Sequence, residues 1–145
     1  MNTHINSLKT IKCRGIILND DKILVVKHSV DNDFYALPGG HIEGEESPKD
    51  CIKREIFEEF GVKPDVGRLL YINQFNGSNK SFLEFFFEII NGNDFLNLDE
   101  SKIDKNEIFE VLWISKDSDV YILPKKLNED FKNGILGKIE LQFIR

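Results

Sequence analysis

Three glutamates in the middle of the chain are the residues most capable of chemistry. Glu55, Glu58 and Glu59 are spaced i, i+3, i+4, so on a helix their carboxylates project from one face. As structure alone this is a poor arrangement. Like charges at i, i+4 cost about 0.2–0.5 kcal/mol per pair. A last-turn position adds repulsion from the negative end of the helix dipole, where a cation would gain about 0.3–1 kcal/mol. A divalent cation relieves both penalties, and carboxylate oxygens are the ligands Mg²⁺ and Mn²⁺ prefer. A charge run by itself is ordinarily a solvated face, so the residues around the glutamates must decide between the two readings.

The element that carries them is legible. Ser47 can N-cap a helix, Pro48 suits its first position and Gly61 fits just past its end. Ile52, Ile56 and Phe60 recur every four residues and give it a buried stripe. Pro38-Gly39-Gly40 breaks whatever precedes it and lets the backbone turn sharply, bringing carbonyl groups toward the acidic face. Arg54 is suited to pair with Glu46, since guanidinium and carboxylate can bond in bidentate fashion. That pair would pin the loop to the helix.

Elsewhere the pattern predicts strands. Arg14–Leu18 and Lys22–Val26 flank the turn Asn19-Asp20-Asp21, and further strands are expected at 66–75, 82–90 and 109–114. A shorter helix is expected to start near Pro124. On the Phe82–Ile90 strand, Glu84 and Glu88 share a face with Phe82 and Phe86. The period-two placement of these aromatics, and of Phe75, reads as core, with one or two free to face a cleft. Strands mixed with a central helix give an α/β or α+β domain.

Composition bounds the rest. The 145 residues suit one domain, 1–145. A net charge of −6 argues against polymeric nucleic acid as a partner but permits a small phosphorylated substrate bridged by a cation. Cys13 and Cys51 form no CxxC and are too few for a disulfide framework, so they read as reduced, buried thiols of a cytoplasmic protein. The N-terminal stretch carries no secretory pattern and no apolar run could span a bilayer, so no membrane association is expected.

Taken together, Gly40, Glu46, Arg54-Glu55, apolar Ile56, Glu58-Glu59, Gly61 and apolar Val62 match the Nudix box at every defined position. By ordinary amino-acid usage this should arise in fewer than about one in a million chains. The sequence thus resembles the Nudix hydrolase family (MutT-like), with a looser likeness from about Lys12 to Ser115 through the Glu-x-x-Glu-x-x-Trp ending at Trp113. The resemblance implies an α/β/α sandwich with a mixed sheet and the box as a loop–helix–loop. It implies Mg²⁺ (or Mn²⁺) held by Glu55, Glu58 and Glu59, with Gly40 beside it and a structural pairing of Arg54 with Glu46.

A further ligand from outside the box is expected; Glu107 is the first candidate, with Glu110 and Glu84 as alternates. The general base is left among Glu59, Glu55 and Glu107. His41 lies in the loop at a position the box leaves free, which suits an exposed residue more than a substrate contact. His4 and His28 give no case for function. The implied reaction is attack of water on a diphosphate joined to another moiety. The stretch Gly77-Ser78-Asn79-Lys80 lacks the Pro or Tyr that marks ADP-ribose or dinucleoside polyphosphate subclasses, which leaves nucleoside triphosphates or other nucleoside diphosphate conjugates. The rival reading is a catalytically silent nucleotide-binding or sensor domain on the same scaffold. Oligomeric state, monomer or homodimer, is left open.

Overall fold

The computed structural model describes residues 10–138 and 140–145; His4 and the N-terminal stretch read above lie outside them. The strands are β1 (Thr10–Asn19), β2 (Lys22–Lys27), β3 (Gly39–His41), β4 (Val66–Asn76), β5 (Ser81–Ile89), β6 (Glu110–Ser115) and β7 (Gln142–Ile144). The α-helices are α1 (Pro48–Phe60) and α2 (Lys125–Lys132), and two short 3-10 turns lie at Gly92–Phe95 and Glu100–Lys102. The sheet runs β6-β2-β1-β5-β4-β7, with β3 against the N-terminal half of β1. It is mixed: β1 is parallel to β5 and β4 to β7, while the β1–β2, β1–β3, β2–β6 and β4–β5 pairs are antiparallel. Among the described residues no helix is long and apolar enough to cross a membrane.

Strand alternation divides the core in two. On one face Cys13, Ile17, Leu24 and Val26 pack with Ile52, Ile56 and Phe60 of α1. On the other, Ile16, Ile23, Val25 and Phe86 pack with Leu127 and Phe131 of α2. The result is the α/β/α sandwich the resemblance implied. Successive β2 side chains, Ile23 to Val26, are all buried because both faces are covered.

Helix α1 begins and ends where its residue types require. The Ser47 hydroxyl accepts from the Asp50 backbone N–H at 3.1 Å. Pro48 occupies the first turn. Gly61, at φ 72°, closes the helix with an N–H bond to the Phe57 carbonyl of 2.8 Å.

Two elements differ from the sequence expectation. The Pro38-Gly39-Gly40 breaker leads into strand β3, because Gly39 and Gly40 pair with Arg14 and Cys13. Gly39 sits at φ 145°, and a Cβ there would lie 1.9 Å from the Cys13 carbonyl oxygen, so only glycine lets the two backbones meet. Strand β7 was not expected. Its three residues are too few to show a period, and they join the edge of β4 through partners about seventy positions away.

Candidate active site

The capped loop and helix bring the box residues together at the end of β1. Arg54 organises them. Its Nη2 and Nε donate to the two oxygens of Glu46 at 2.7 and 3.1 Å. Nη2 also reaches the His41 carbonyl at 3.1 Å. Nη1 donates to Glu55 at 3.0 Å and to Glu58 at 3.2 Å. Glu46 in turn accepts from the Glu43 backbone N–H at 2.9 Å. One guanidinium therefore ties the loop, through Glu46 and His41, to the acidic face of α1. Its donation holds the Glu46 carboxyl at a pKa of about 2, well below the ordinary carboxylate range.

The three helix carboxylates sit in different surroundings. Glu58 is exposed. Glu55 is mostly covered, and burial pushes its pKa up against the pull of Arg54. Glu59 is 3% exposed. Burial and then the charge of Glu55 raise its pKa well above the usual value, while Arg14 and the Gly39 backbone N–H oppose the shift. Its Oε1 is buried without a hydrogen-bond partner. A buried carboxylate oxygen with no donor is costly, and a hard cation would satisfy it.

Gly40 is shaped to this cluster. A Cβ at Gly40 would stand 2.6 Å from the Glu55 carboxyl carbon and from both its oxygens, so the backbone and the carboxylate share one small space. Behind it, Cys51 Sγ approaches the Gly40 carbonyl at 3.8 Å, and Cys13 and Cys51 are buried and free. Among the described residues no three His, Cys, Asp or Glu side chains already converge as a ready metal cage. Arg54 is instead the cation drawing Glu55 and Glu58 together. The donor chemistry of Glu55 and the orphaned Glu59 oxygen fits Mg²⁺ or Mn²⁺.

The outlying candidates separate. Glu107 is exposed, but its charge reaches both Glu59 and His41. Glu110 receives the Tyr35 hydroxyl. Glu84 accepts from Arg14 Nε and from Asn73 Nδ2, each at 3.0 Å. His41 is exposed, and its pKa is lowered by partial burial, Lys12 and Arg14. His28 Nδ1 lies 2.8 Å from the Glu107 carbonyl oxygen.

A cavity of about 580 Å³, which residue spacing does not announce, lies beyond Arg14. Its wall includes Lys12, Arg14, Lys80, Lys125 and Arg145, with Phe34, Phe75, Phe82 and Phe86, Asn73 and Glu84. Phe75 and Phe82 stack at 4.8 Å between centroids, and Lys12 Nζ lies 4.2 Å over the Phe82 ring. The shared face of Glu84, Phe82 and Phe86 was readable from their spacing. The gathering of five cations in a chain of net charge −6 was not, because they come from β1, the β4–β5 turn, α2 and the residue that follows β7. Arg14 links the two regions, since it pairs with Glu84 and its charge also acts on Glu59.

The family model described as the NUDIX domain matches residues 9–132. A mouse diphosphoinositol polyphosphate phosphohydrolase 3-alpha is 41% identical over 61 residues, covering 42% of this chain and 37% of its own length. A MutT-like protein of Streptomyces ambofaciens is 32% identical over 62 residues, covering 43% of this chain and 40% of its own length. The match thus spans well under half the length of these relatives. Among solved structures, a UDP-X diphosphatase crystal structure aligns with TM-score 0.72 and 26% identity, over 95% of this chain and 68% of that one. The solution structure of the E. coli ORF135 protein aligns with TM-score 0.66 at 20% identity, covering 91% and 93%, a likeness of fold.

Proposed function

The chain belongs to the Nudix hydrolase family, and from that premise we propose that it is a Mg²⁺- or Mn²⁺-dependent hydrolase of a diphosphate linkage in a small nucleotide-like substrate. The observation that carries this reading is the buried, unpartnered oxygen of Glu59, acted on by the charge of Glu55, whose carboxylate fills the space left by Gly40. Glu55, Glu58 and Glu59 would hold the metal, with the Gly40 backbone adjacent and Glu107 as an outlying ligand. When bound, the metal lowers the pKa of water and offsets charge on the phosphate oxygens.

The chain's own residues do the rest. Arg54 fixes the loop through Glu46 and keeps Glu55 and Glu58 on one side of α1. Glu59, and Glu55 and Glu107 whose charges act on it, are the carboxylates that can take the proton of the attacking water. Lys12 and Arg14 carry positive charge from β3 toward the cavity, where it offsets phosphate charge that a protein of net charge −6 would otherwise repel. The stacked Phe75 and Phe82 offer a flat apolar surface to the moiety beyond the diphosphate. The intact set of box carboxylates argues against a silent sensor domain.

A second reading has specific support. Five cations around the cavity also suit a diphosphate on a polyphosphorylated polyol, the class named for the curated relatives. The deciding experiment is a substrate panel with product analysis, run with and without Mg²⁺. It includes nucleoside triphosphates, nucleoside diphosphate conjugates and a diphosphorylated inositol phosphate, with Glu59→Gln as control. Metal-dependent release from nucleotides, abolished in the control, supports the first reading. Release from no diphosphate compound, or equal release in Glu59→Gln, overturns it.

A further inference from the structure

The cavity wall contains a second orphaned acceptor. Asn73 is 5% exposed, and its Oδ1 is buried with no hydrogen-bond partner. Such an atom is costly unless something donates to it. The amide cannot simply turn to satisfy it. Asn73 Nδ2 donates to Glu84 Oε1 at 3.0 Å. Glu84 Oε2 accepts from Arg14 Nε at 3.0 Å, and Arg14 Nη1 donates to the Leu37 carbonyl at 3.1 Å. A carboxylate is acceptor-only, so an Asn73 flipped end for end would set its oxygen against the Glu84 oxygen. The relay from Leu37 through Arg14 and Glu84 therefore leaves Asn73 Oδ1 as the free end.

The residue that carries it lines the cavity. Asn73 pairs across the β4–β5 ladder with Glu84, and Phe75, two residues on, pairs with Phe82; all four line the space. The acceptor thus stands on the same strand face as the stacked rings, which suit a planar group. Its oxygen is covered by neighbouring atoms, so a donor reaches it when the side chains that cover it shift, a change common at binding surfaces, while the Asn73 amide keeps its bond to Glu84.

We propose that Asn73 is a specificity-determining residue of this cavity, its Oδ1 accepting a hydrogen bond from an N–H on the edge of the heterocycle that the diphosphate substrate carries. This rests on the nucleotide reading above. A site built to bond a donor rejects the analogue lacking it, because its own buried group is then left unpaired.

Changing the relay should change the preference. In Glu84→Gln, Arg14 Nε–H still demands an oxygen, which turns the Gln amide nitrogen toward Asn73. Asn73 must then face its oxygen inward and turn Nδ2 to the cavity. The site becomes a donor, and the preference should be lost or reversed.

The test compares kcat/KM for matched nucleoside triphosphates: adenine against purine, guanine against hypoxanthine, cytosine against 2-pyrimidinone, and uracil against N3-methyluracil. Calorimetric Kd values for the corresponding monophosphates give a readout independent of turnover. In wild type, the donor-bearing member of at least one pair should be favoured by about tenfold. That ratio should fall to within about twofold in Asn73→Leu and fall or invert in Glu84→Gln. If Asn73→Leu does not fold, Glu84→Gln alone decides. Triphosphates cleaved in wild type without discrimination, or discrimination preserved in the variants, would overturn the assignment while leaving the hydrolase reading intact. No cleavage of any nucleotide, with a diphosphorylated inositol phosphate still cleaved, would overturn both this assignment and the nucleotide reading on which it rests.

Discussion

Arg54 meets Glu46 in a two-point bond, Nη2 to Oε1 at 2.7 Å and Nε to Oε2 at 3.1 Å, and the same guanidinium spends its remaining nitrogen on Glu55 and Glu58. Arg54→Ala therefore strands several carboxylates at once. The group is partly solvated, which tempers the cost to about 1–3 kcal/mol, or a fall in Tm of about 3–9 °C. Arg54→Lys should recover only part, because an ammonium cannot make the parallel pair. An unchanged Tm and unchanged turnover in Arg54→Ala would remove the loop-pinning role.

The same pair sets an acid dependence. The Glu46 pKa is drawn from 4.5 down to about 2. Between those values the unfolded chain binds the proton more readily, so stability rises with pH across the window. The contribution is full above about pH 4.5 and is lost as pH falls through about 2. Urea unfolding across this range should show a steeper loss in wild type than in Arg54→Ala. Parallel curves would mean that Arg54 is not what lowers the Glu46 pKa.

Glu59→Gln should separate stability from activity. It replaces a buried, incompletely bonded carboxylate by a neutral amide of the same shape. In chelator its Tm should equal or exceed that of wild type, because burying a charge is costly. Turnover with Mg²⁺ should fall on the order of a hundredfold or more. A variant both less stable in chelator and fully active would contradict the assignment.

The neighbouring glycines should respond differently to alanine. At Gly39 the new Cβ meets the Cys13 backbone oxygen at 1.9 Å in a left-handed conformation. Backbone must move, at a cost of about 3 kcal/mol, or about 6–12 °C in Tm. At Gly40 the atoms nearest the Cβ are the carboxyl end of the Glu55 side chain, which can swing aside. Gly40→Ala should keep its Tm within about 3 °C yet lose turnover and metal response. Comparable melting of the two variants would mean that the Gly40 space is not what positions Glu55.

Metal should raise Tm, since a ligand that binds only the folded state stabilises by RT ln(1 + [L]/Kd), about 2.7 kcal/mol at a hundredfold excess over Kd. Mg²⁺ or Mn²⁺ should act, and Na⁺ at matched ionic strength should not. The shift should shrink in Glu55→Gln and Glu59→Gln. It should also shrink in Glu107→Gln if that exposed carboxylate is a ligand, and persist in Glu110→Gln, whose side chain serves Tyr35. Equal shifts in all of these variants would place the ion elsewhere.

Local residue order sets the bounds and the buried face of α1. Ser47, Pro48 and Gly61 fix the bounds of α1, and the spacing of Ile52, Ile56 and Phe60 fixes its buried stripe. These are interactions within one or two helical turns, so residue order alone contains them. The Arg54–Glu46 bond, eight positions apart, was legible for the same reason. Tertiary structure decided what depends on distant partners. It made Gly39–His41 a strand by laying it on β1 and buried Glu59 far more deeply than Glu58, its neighbour on the same acidic face. It also assigned Glu84 to Arg14, 70 positions away, and assembled the cationic cavity around Asn73. Contacts across such separations are set by sheet register and layer packing, which local residue spacing does not encode.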